Sequence, residues 1–262
     1  MMRVCVFASG SGGNCLLVSE GQDALLIDAG ISNRRIEAAV AAAGLTMNDI
    51  GGVLITHEHS DHISGLATML KHRRIPIYAP RTVASHLWRQ LPDSDGCLQQ
   101  IPTETAFPVG GLKVTAFHTP HDTPESVGYR VEGSGVFALA TDMGHVTEEI
   151  RRGLLGAGTV LIESNHDEQM LSYGPYPVSL KRRILSDRGH LSNAECAKLA
   201  RELAMNGTRR IILGHLSREN NTPEKAMAES RAALAGLTAE LYCAPVSGCL
   251  ELPVERSAPC FL

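Results

Sequence analysis

The sequence predicts an α/β fold in which two mixed sheets pack face to face with helices outside, a four-layer αββα sandwich. Short apolar strands cluster early in each half of the chain and helices follow, a pattern that requires sheets covered by helices. Both halves also run an apolar strand into a turn containing Asp and Gly, at 25–30 and 139–144. No linker rich in Pro, Gly or Ser divides the 262 residues, so we expect one domain over residues 1–262.

The first half contains a predicted hairpin and a clearly bounded helix. The turn residues 20–23 separate two β-like runs, which predicts the hairpin. Ser32 is placed to begin an alanine-rich helix and Gly44 to end it. The predicted strands are 3–8, 15–19, 24–27, 52–56, 75–78, 106–109 and 113–117. The predicted helices are 36–43, 63–71 and 82–90, and residues 91–105 carry only a weak signal.

The second half repeats this rhythm of strands and helices. Its predicted strands are 127–131, 136–141, 160–163, 210–213, 240–243 and 249–252. Its predicted helices are 147–154, 178–187, 193–205 and 223–237. The two similar strand-to-turn segments suggest a pseudo-duplication, although little sequence similarity remains between the halves.

Composition limits the compartment and the partners. Hydrophobic residues make up 44% of the chain, which is typical of a globular protein, and no apolar run is long enough to cross a bilayer. The first ten residues lack the apolar core of a signal peptide. Seven cysteines without a Cys-x-x-Cys pair indicate reduced thiols. We therefore expect a cytoplasmic protein that does not bind membranes.

The net charge of −4 gives no overall basic surface of the kind seen in many nucleic-acid-binding proteins. This argues mildly against a polyanionic substrate. It does not exclude one, because bound metal ions can supply the positive charge of a site.

The segment from Thr56 to His62, Thr-His-Glu-His-Ser-Asp-His, carries the strongest chemical signal. In an extended segment, residues two apart point the same way, so His57 and His59 can bind one metal ion. Asp61 and His62 follow at the turn and can face a second ion. Neutral imidazole and carboxylate groups suit Zn²⁺ and Mn²⁺. Burying four such groups as packing would cost several kcal/mol, so we interpret the segment as metal-binding.

The motif His-x-His-x-Asp-His at a strand end resembles the signature of the metallo-β-lactamase superfamily. Three later segments resemble that family's further ligands in the same order: His121 in Pro-His-Asp, Asp142 in Thr-Asp-Met-Gly, and His215 in Leu-Gly-His-Leu-Ser. The resemblance implies one metal ion held by His57, His59, His121 and Asp142. It implies a second held by Asp61, His62, Asp142 and His215.

Two features of the resemblance narrow the activity. Members that hydrolyse β-lactams carry Cys where this chain has Asp142, so the bridging carboxylate resembles the phosphodiesterase, nuclease and glyoxalase II branches. Gly189-His190-Leu191-Ser192 is similar to a segment near the end of ribonuclease Z, which implies that His190 contacts the phosphate or protonates the leaving oxygen. Nearly the whole chain resembles the bacterial YycJ/WalJ group, regarded as DNA 5′-exonuclease-like.

The resemblance therefore implies a phosphodiesterase with two divalent metal ions, Zn²⁺ or Mn²⁺, acting on nucleic acid and specifically as a 5′-to-3′ exonuclease on DNA. A metal-bridged hydroxide would attack phosphorus, Asp61 would orient it, and His190 would act as general acid. Three further residues are candidates for orienting the metal ligands or contacting the substrate: Asp28, Asn14 and Asn165. Tyr173 and Tyr176 could stack bases or simply form a rigid surface loop.

Two alternatives to the nuclease stay open. The first is a thioester or lactone hydrolase similar to glyoxalase II, in which the same metals activate water against a carbonyl. The second is a catalytically inactive binding protein. The sequence leaves open the working metal, the oligomeric state and the cellular pathway, and it indicates DNA over RNA, and the strand polarity, only by resemblance.

Overall fold

The structure is a computed structural model that describes residues 1–257. The predicted domain also includes residues 258–262, which lie outside the described residues. Cys260 is one of them. Within the described residues the chain forms two seven-stranded sheets. The expected four-layer α/β arrangement is confirmed, because helices cover both sheets.

The first sheet has the strand order β14-β1-β2-β3-β4-β5-β6. Its strands are β1 Met2–Ala8, β2 Cys15–Glu20, β3 Asp23–Ile27, β4 Ile50–Leu54, β5 Ile77–Ala79, β6 Leu98–Gln100 and β14 Leu250–Val254. The second sheet has the order β13-β12-β11-β10-β9-β8-β7. Its strands are β7 Ala106–Val109, β8 Leu112–His118, β9 Val127–Glu132, β10 Val136–Ala140, β11 Thr159–Glu163, β12 Arg210–Gly214 and β13 Glu240–Cys243.

Nine α-helices occur within residues 1–257. They are α1 Asn33–Ala42, α2 Ser60–Ile63, α3 Leu66–His72, α4 Arg81–Gln90, α5 Glu148–Leu154, α6 Glu168–Tyr173, α7 Val178–Ile184, α8 Asn193–Met205 and α9 Pro223–Ala233. In the described part of the chain, no helix is long and apolar enough to cross a membrane.

The two sheets have equivalent topologies. Strands β1, β2 and β3 pair antiparallel, and β4, β5 and β6 then continue the sheet in parallel. In the second sheet, β8, β9 and β10 pair antiparallel, and β11, β12 and β13 continue in parallel. This correspondence agrees with the pseudo-duplication suggested by the sequence. It makes the residues after β3 and β10 equivalent.

The core consists of three apolar layers. The middle layer lies between the sheets and includes Leu25, Tyr129 and Phe137, all fully buried or nearly so. One outer layer packs the first sheet against α1, α3 and α4, and the other packs the second sheet against α5, α8 and α9. Because β3 and β10 are covered on both faces, they appear in the sequence as continuous apolar runs, not alternating ones.

The structure departs from the predicted elements in a few places. The predicted helix 63–71 is two helices, because the Gly65 amide donates to the Ala29 carbonyl oxygen at 2.7 Å instead of bonding within the helix. Strand β6 lies in the weakly signalled stretch, and α6 was not predicted. The predicted helices 178–187 and 223–237 end earlier, at Ile184 and Ala233.

Candidate metal centre

The chemistry-bearing side chains meet where the parallel strands of both sheets end. Asp28 directly follows β3, and Thr56 and His57 come shortly after β4. In the second sheet Asp142 follows β10 by one residue, and His215 directly follows β12. Carboxyl ends of parallel strands lie at one edge of a sheet, which is where ligands bind in open α/β sheets.

Three of these residues have a left-handed backbone conformation. The φ angles of Asp28, Asp142 and His215 are +58°, +56° and +55°. Such angles are uncommon outside glycine and cluster at functional sites, where the surrounding structure over-determines them. The turn lets each side chain point back toward the junction of the two sheets.

The histidines and carboxylates form two adjoining clusters. In the first, His57, His59 and His121 offer ring nitrogens that all lie within 4.8 Å of one another. In the second, the ligand atoms of Asp61, His62 and His215 lie within the same distance.

Asp142 lies between these clusters and is almost completely buried. Its Oδ2 is 3.4 Å from Nε2 of His62. Its Oδ1 is 3.5 Å from Nε2 of His215 and 3.7 Å from Nε2 of His121. One carboxylate thus faces ring nitrogens of both clusters, so its two oxygens could serve two ions.

The donor atoms fit metal ions. Nε2 of His57, Nε2 of His215 and Oδ2 of Asp142 are buried without a hydrogen-bond partner. Leaving such atoms unpaired costs several kcal/mol. Nitrogen and oxygen donors of this kind suit a divalent transition metal, and coordination would satisfy all three atoms.

The other ring nitrogen of several histidines is fixed by a neighbour. Nδ1 of His62 is 2.7 Å from Asp28 Oδ2, and Nδ1 of His215 is 2.9 Å from Glu163 Oε1. Nδ1 of His121 is 3.3 Å from the Gly189 carbonyl oxygen. Such contacts orient the rings and turn Nε2 toward the clusters, as in metal-binding histidines.

Asp28 contacts the metal-binding segment at two residues. Besides His62, its carboxylate accepts hydrogen bonds from the Thr56 backbone amide at 2.9 Å and from the Thr56 hydroxyl. Because its carboxylate makes these contacts, Asp28 supports the segment 56–62 and does not face the clusters.

Glu163 is a functional candidate that sequence reasoning missed. It ends β11, is fully buried, and its Oε1 contacts both His215 and Nδ1 of His190, the latter at 2.8 Å. Its Oε2 accepts hydrogen bonds from the backbone amides of Met143 and Leu191. The available signal was a carboxylate that closes the apolar strand Thr-Val-Leu-Ile-Glu, since an unpaired charge at such a position is costly.

Asn14 and Asn165 occupy different places. The Asn14 amide nitrogen lies 3.3 Å from Asp61 Oδ2 and 3.0 Å from Nε2 of His62, so it faces the second cluster. The Asn165 amide donates to the His215 carbonyl oxygen at 2.9 Å. Asn165 therefore supports the backbone of a cluster residue instead of facing its ring.

The segment before His190 holds the loop that carries His121. Arg188 donates to the carbonyl oxygens of His121 and Thr123 at 2.7 and 2.6 Å. Arg183 of α7 donates to Asp122, whose buried Oδ1 has no hydrogen-bond partner and lies 3.3 Å from Nε2 of His121. Arg188 was not identified from the sequence as part of the site.

Charges in the clusters shift the pKa values in opposite directions. Burial and the neighbouring His62, His121 and His59 hold the pKa of His57 well below its usual value. Burial also disfavours the charged form of His62, but Asp28 and Asp142 outweigh it and raise that pKa to about 10. Opposed shifts among close titratable groups are characteristic of functional sites.

A cavity of about 210 Å³ adjoins the second cluster. Its lining includes His190 and His215, together with Leu180, Arg183 and Ile184 of α7. The side chain of His190 is 23% exposed, so a ligand in the cavity could reach it. Tyr176 also lines the cavity, whereas Tyr173 is 91% exposed and is not among its lining residues.

Comparison with known proteins agrees with this geometry. Residues 24–216 match the family described as the Beta-lactamase superfamily domain. The chain is 39% identical over 229 residues to the exodeoxyribonuclease YycJ of Bacillus anthracis, covering 86% of each chain. It is 35% identical over 235 residues to the exodeoxyribonuclease WalJ of Streptococcus pneumoniae, covering 86% of this chain and 85% of that one.

Solved structures agree on the architecture. The metallo-β-lactamase fold protein YhfI from Bacillus subtilis superposes with a TM-score of 0.71, covering 96% of this chain and 99% of that one. The sequence identity is 16%, so this likeness speaks for the fold alone.

Proposed function

This chain belongs to the family of the β-lactamase superfamily domain and has the metallo-β-lactamase fold, and from that premise we propose that it is a metal-dependent exonuclease acting on DNA. The observation that carries the proposal is the buried Asp142 carboxylate facing histidines of two adjoining clusters. The identity of 35–39% to two exodeoxyribonucleases over most of the chain supports DNA as the substrate.

Two metal ions would be held by the two clusters, with Asp142 shared. His57, His59 and His121 would bind one ion, and Asp61, His62 and His215 would bind the other. When bound, two divalent ions supply positive charge for the phosphate and lower the pKa of a coordinated water. The ligand types support Zn²⁺ or Mn²⁺.

Side chains of the protein itself position the water and the metal ligands. Asp61 orients the attacking water, and the Asn14 amide beside its Oδ2 keeps that carboxylate in place. Asp28 and Glu163 hold the rings of His62 and His215. The new bond joins the water oxygen to phosphorus, and the bond from phosphorus to the sugar oxygen breaks.

His190 delivers the proton that the departing sugar oxygen needs. Glu163 accepts from Nδ1, so Nε2 is the atom that can donate to substrate. Burial opposes the charged form, but Glu163 outweighs burial and raises the pKa of His190. A raised pKa keeps a larger fraction of the imidazole protonated near neutral pH, as a general acid requires.

The proposal includes a 5′-to-3′ direction and a cytoplasmic location. The resemblance to the YycJ/WalJ group supports the direction. The six cysteines within residues 1–257 are free, which supports a reducing compartment.

The test is a nuclease assay with both ends of the strand labelled. The purified protein is incubated with Mn²⁺ and separately with Zn²⁺, on 5′-labelled and 3′-labelled DNA, single-stranded and double-stranded, beside Asp61→Ala. We expect stepwise loss of the 5′ label that requires both a metal ion and Asp61.

Intact DNA under every metal, with two ions shown to be bound, would reject the nuclease. A panel of thioesters and lactones would then test for the glyoxalase II-like hydrolase. Bound metal with no turnover on any of these substrates would indicate the inactive binding protein.

A further inference from the structure

We infer that the cavity beside His190 binds the terminal nucleoside of the strand being cut, with Tyr176 packed against its base. The inference rests on the proposed function and deepens it, because it assigns a binding residue and a ligand that the metal centre itself does not explain. The cavity lies between the second metal cluster and α7, so an occupant there is adjacent to the reacting phosphate.

Three of the lining residues, Tyr176, Leu180 and Ile184, are suited to a base. An aromatic ring and two aliphatic side chains offer an apolar face, and aromatic side chains stack bases without sequence preference. Tyr176 is flanked by Pro175 and Pro177, whose rings restrict the backbone. The backbone that carries the ring is therefore restricted before a base arrives, which reduces the entropy cost of binding.

Other lining residues are suited to a sugar and a phosphate. Ser11 and Ser217 contribute hydroxyl groups, and Asn165 contributes an amide. Arg183 and Asp122 also line the cavity and form an ion pair with each other, and the neighbouring Lys181 and Arg182 add positive charge on the same helix. A cavity lined by apolar, hydrogen-bonding and charged side chains matches a nucleotide better than it matches a purely apolar ligand.

The position of His190 decides which nucleoside occupies the cavity. His190 lines the cavity and is the proposed donor to the leaving sugar oxygen. The nucleoside that carries this oxygen must therefore lie on the cavity side of the phosphate. In a cut that starts from the 5′ end, that nucleoside is the terminal one, released with a free 3′ hydroxyl.

Binding can be tested separately from catalysis by calorimetric titration of the metal-loaded protein. The two ligands are thymidine 3′-monophosphate, whose phosphate is carried on the 3′ oxygen as the scissile phosphate is, and inorganic phosphate. The variants are Tyr176→Ala and Tyr176→Phe, with Tyr173→Ala as the matched control because Tyr173 is on the same segment but is 91% exposed.

We expect the unaltered protein to bind the nucleotide more tightly than phosphate. Tyr176→Ala should weaken nucleotide binding roughly 10-fold, the size expected for loss of one stacking partner, and leave phosphate binding unchanged. Tyr176→Phe and Tyr173→Ala should bind as the unaltered protein does. Equal losses in both alanine variants, or phosphate binding as tight as nucleotide binding, would overturn the inference.

The two proposals fail in different ways. Nucleotide binding that depends on Tyr176 in a protein that leaves all DNA intact would refute the nuclease and keep the cavity assignment. Rapid DNA degradation that is indifferent to Tyr176→Ala, with unchanged nucleotide binding, would refute the cavity assignment and keep the nuclease.

Discussion

At the scale of single residues, the centre depends on side chains that do not face the clusters. Asp28 fixes His62, Glu163 fixes both His215 and His190, and the Gly189 carbonyl accepts from His121. Each contact engages one ring nitrogen and leaves the other to face the clusters or the cavity. Removing such a partner is expected to weaken the site without removing a ligand.

Asp28→Asn tests this for the second cluster. The backbone of Asp28 has φ +58°, which Asn tolerates, so the variant removes the charge and keeps the turn. We expect metal affinity to fall about 10- to 100-fold, the usual effect of losing such a partner. Competition with a chelator measures the affinity, and unchanged affinity with an intact thermal transition would contradict the assigned role.

His190→Asn tests the general acid. The Asn amide can replace Nδ1 as donor to Glu163 but offers nothing in place of Nε2. We expect DNA turnover to fall roughly 10²- to 10⁴-fold, with metal content unchanged. Hydrolysis of bis(p-nitrophenyl) phosphate should fall much less, because nitrophenolate leaves without a proton. Loss of metal, or equal losses on both substrates, would show that His190 has a different role.

The sequence predicted the local cluster from 57 to 62 because those residues share one segment. His121, Asp142 and His215 were predicted through the resemblance and do lie beside that segment. Glu163 and Arg188 were not, since their contacts form only when distant segments meet. Short-range spacing carries no information about such contacts.

At the scale of elements, tight turns after the strands bring the backbone segments unusually close. Gly30 follows β3, and its amide donates to the Asn14 carbonyl oxygen at 2.8 Å, while Asn14 in turn donates to the Asp61 carbonyl oxygen. The strand-to-turn segment containing this Gly was recognised in the sequence, but the contact with Asp61 was not. The loop 9–14 and the segment 56–62 are therefore held in contact, and the close approach depends on the small size of Gly30.

Gly30→Ala is expected to disrupt this arrangement. An added Cβ would lie 1.6 Å from the Asp61 carbonyl oxygen, so the backbone must move. We expect the unfolding free energy to drop by on the order of 3 kcal/mol and metal content to fall. Gly51→Ala is the control, since its Cβ would meet nothing closer than 3.6 Å. Equal thermal stability of the two variants would contradict the expectation.

Elements with strong periodicity or clear caps were predicted well, and marginal ones were not. Strand β6 has three residues at the edge of its sheet, so packing on one neighbour supplies the order that its sequence does not. Helix α6 has six residues and one buried apolar side chain. Asp167 caps it through the Met170 amide, a signal too short to stand out.

At the scale of the whole molecule, the equivalent positions of Asp28 and Asp142 explain how two similar sheets form one centre. Both residues follow the third strand of the antiparallel run, and their φ angles are +58° and +56°. Asp28 holds the ring of His62 from outside the two clusters, whereas Asp142 lies between the clusters. The same turn thus supplies a supporting group in one half and a shared candidate ligand in the other.

Burial against the two sheets should also protect the cysteine thiols from ionisation and alkylation. Burial raises the pKa of Cys196 to about 12, and burial with Glu251 raises that of Cys5 to about 12. Thiols, not reactive thiolates, therefore prevail in the folded protein at pH 8. We expect iodoacetamide to modify the exposed Cys249 first, as read by mass spectrometry of peptides.

The same shifts predict how stability depends on pH. In the unfolded chain these thiols ionise near their ordinary pKa of 9.0, while the folded protein keeps them neutral up to about 12. The unfolding free energy should therefore fall as the pH rises above 9. Rapid labelling of Cys196 in the native protein, or stability independent of pH between 9 and 11, would contradict this.

Dividing the centre between two sheets has a consequence during protein synthesis. The ribosome delivers His57 to His62 well before Asp142 and His215, so the first half emerges with only part of the donor set. A partly made chain cannot assemble both clusters, whatever metal the cell offers. An enzyme proposed to cut DNA thus stays inactive until its second sheet has closed against the first.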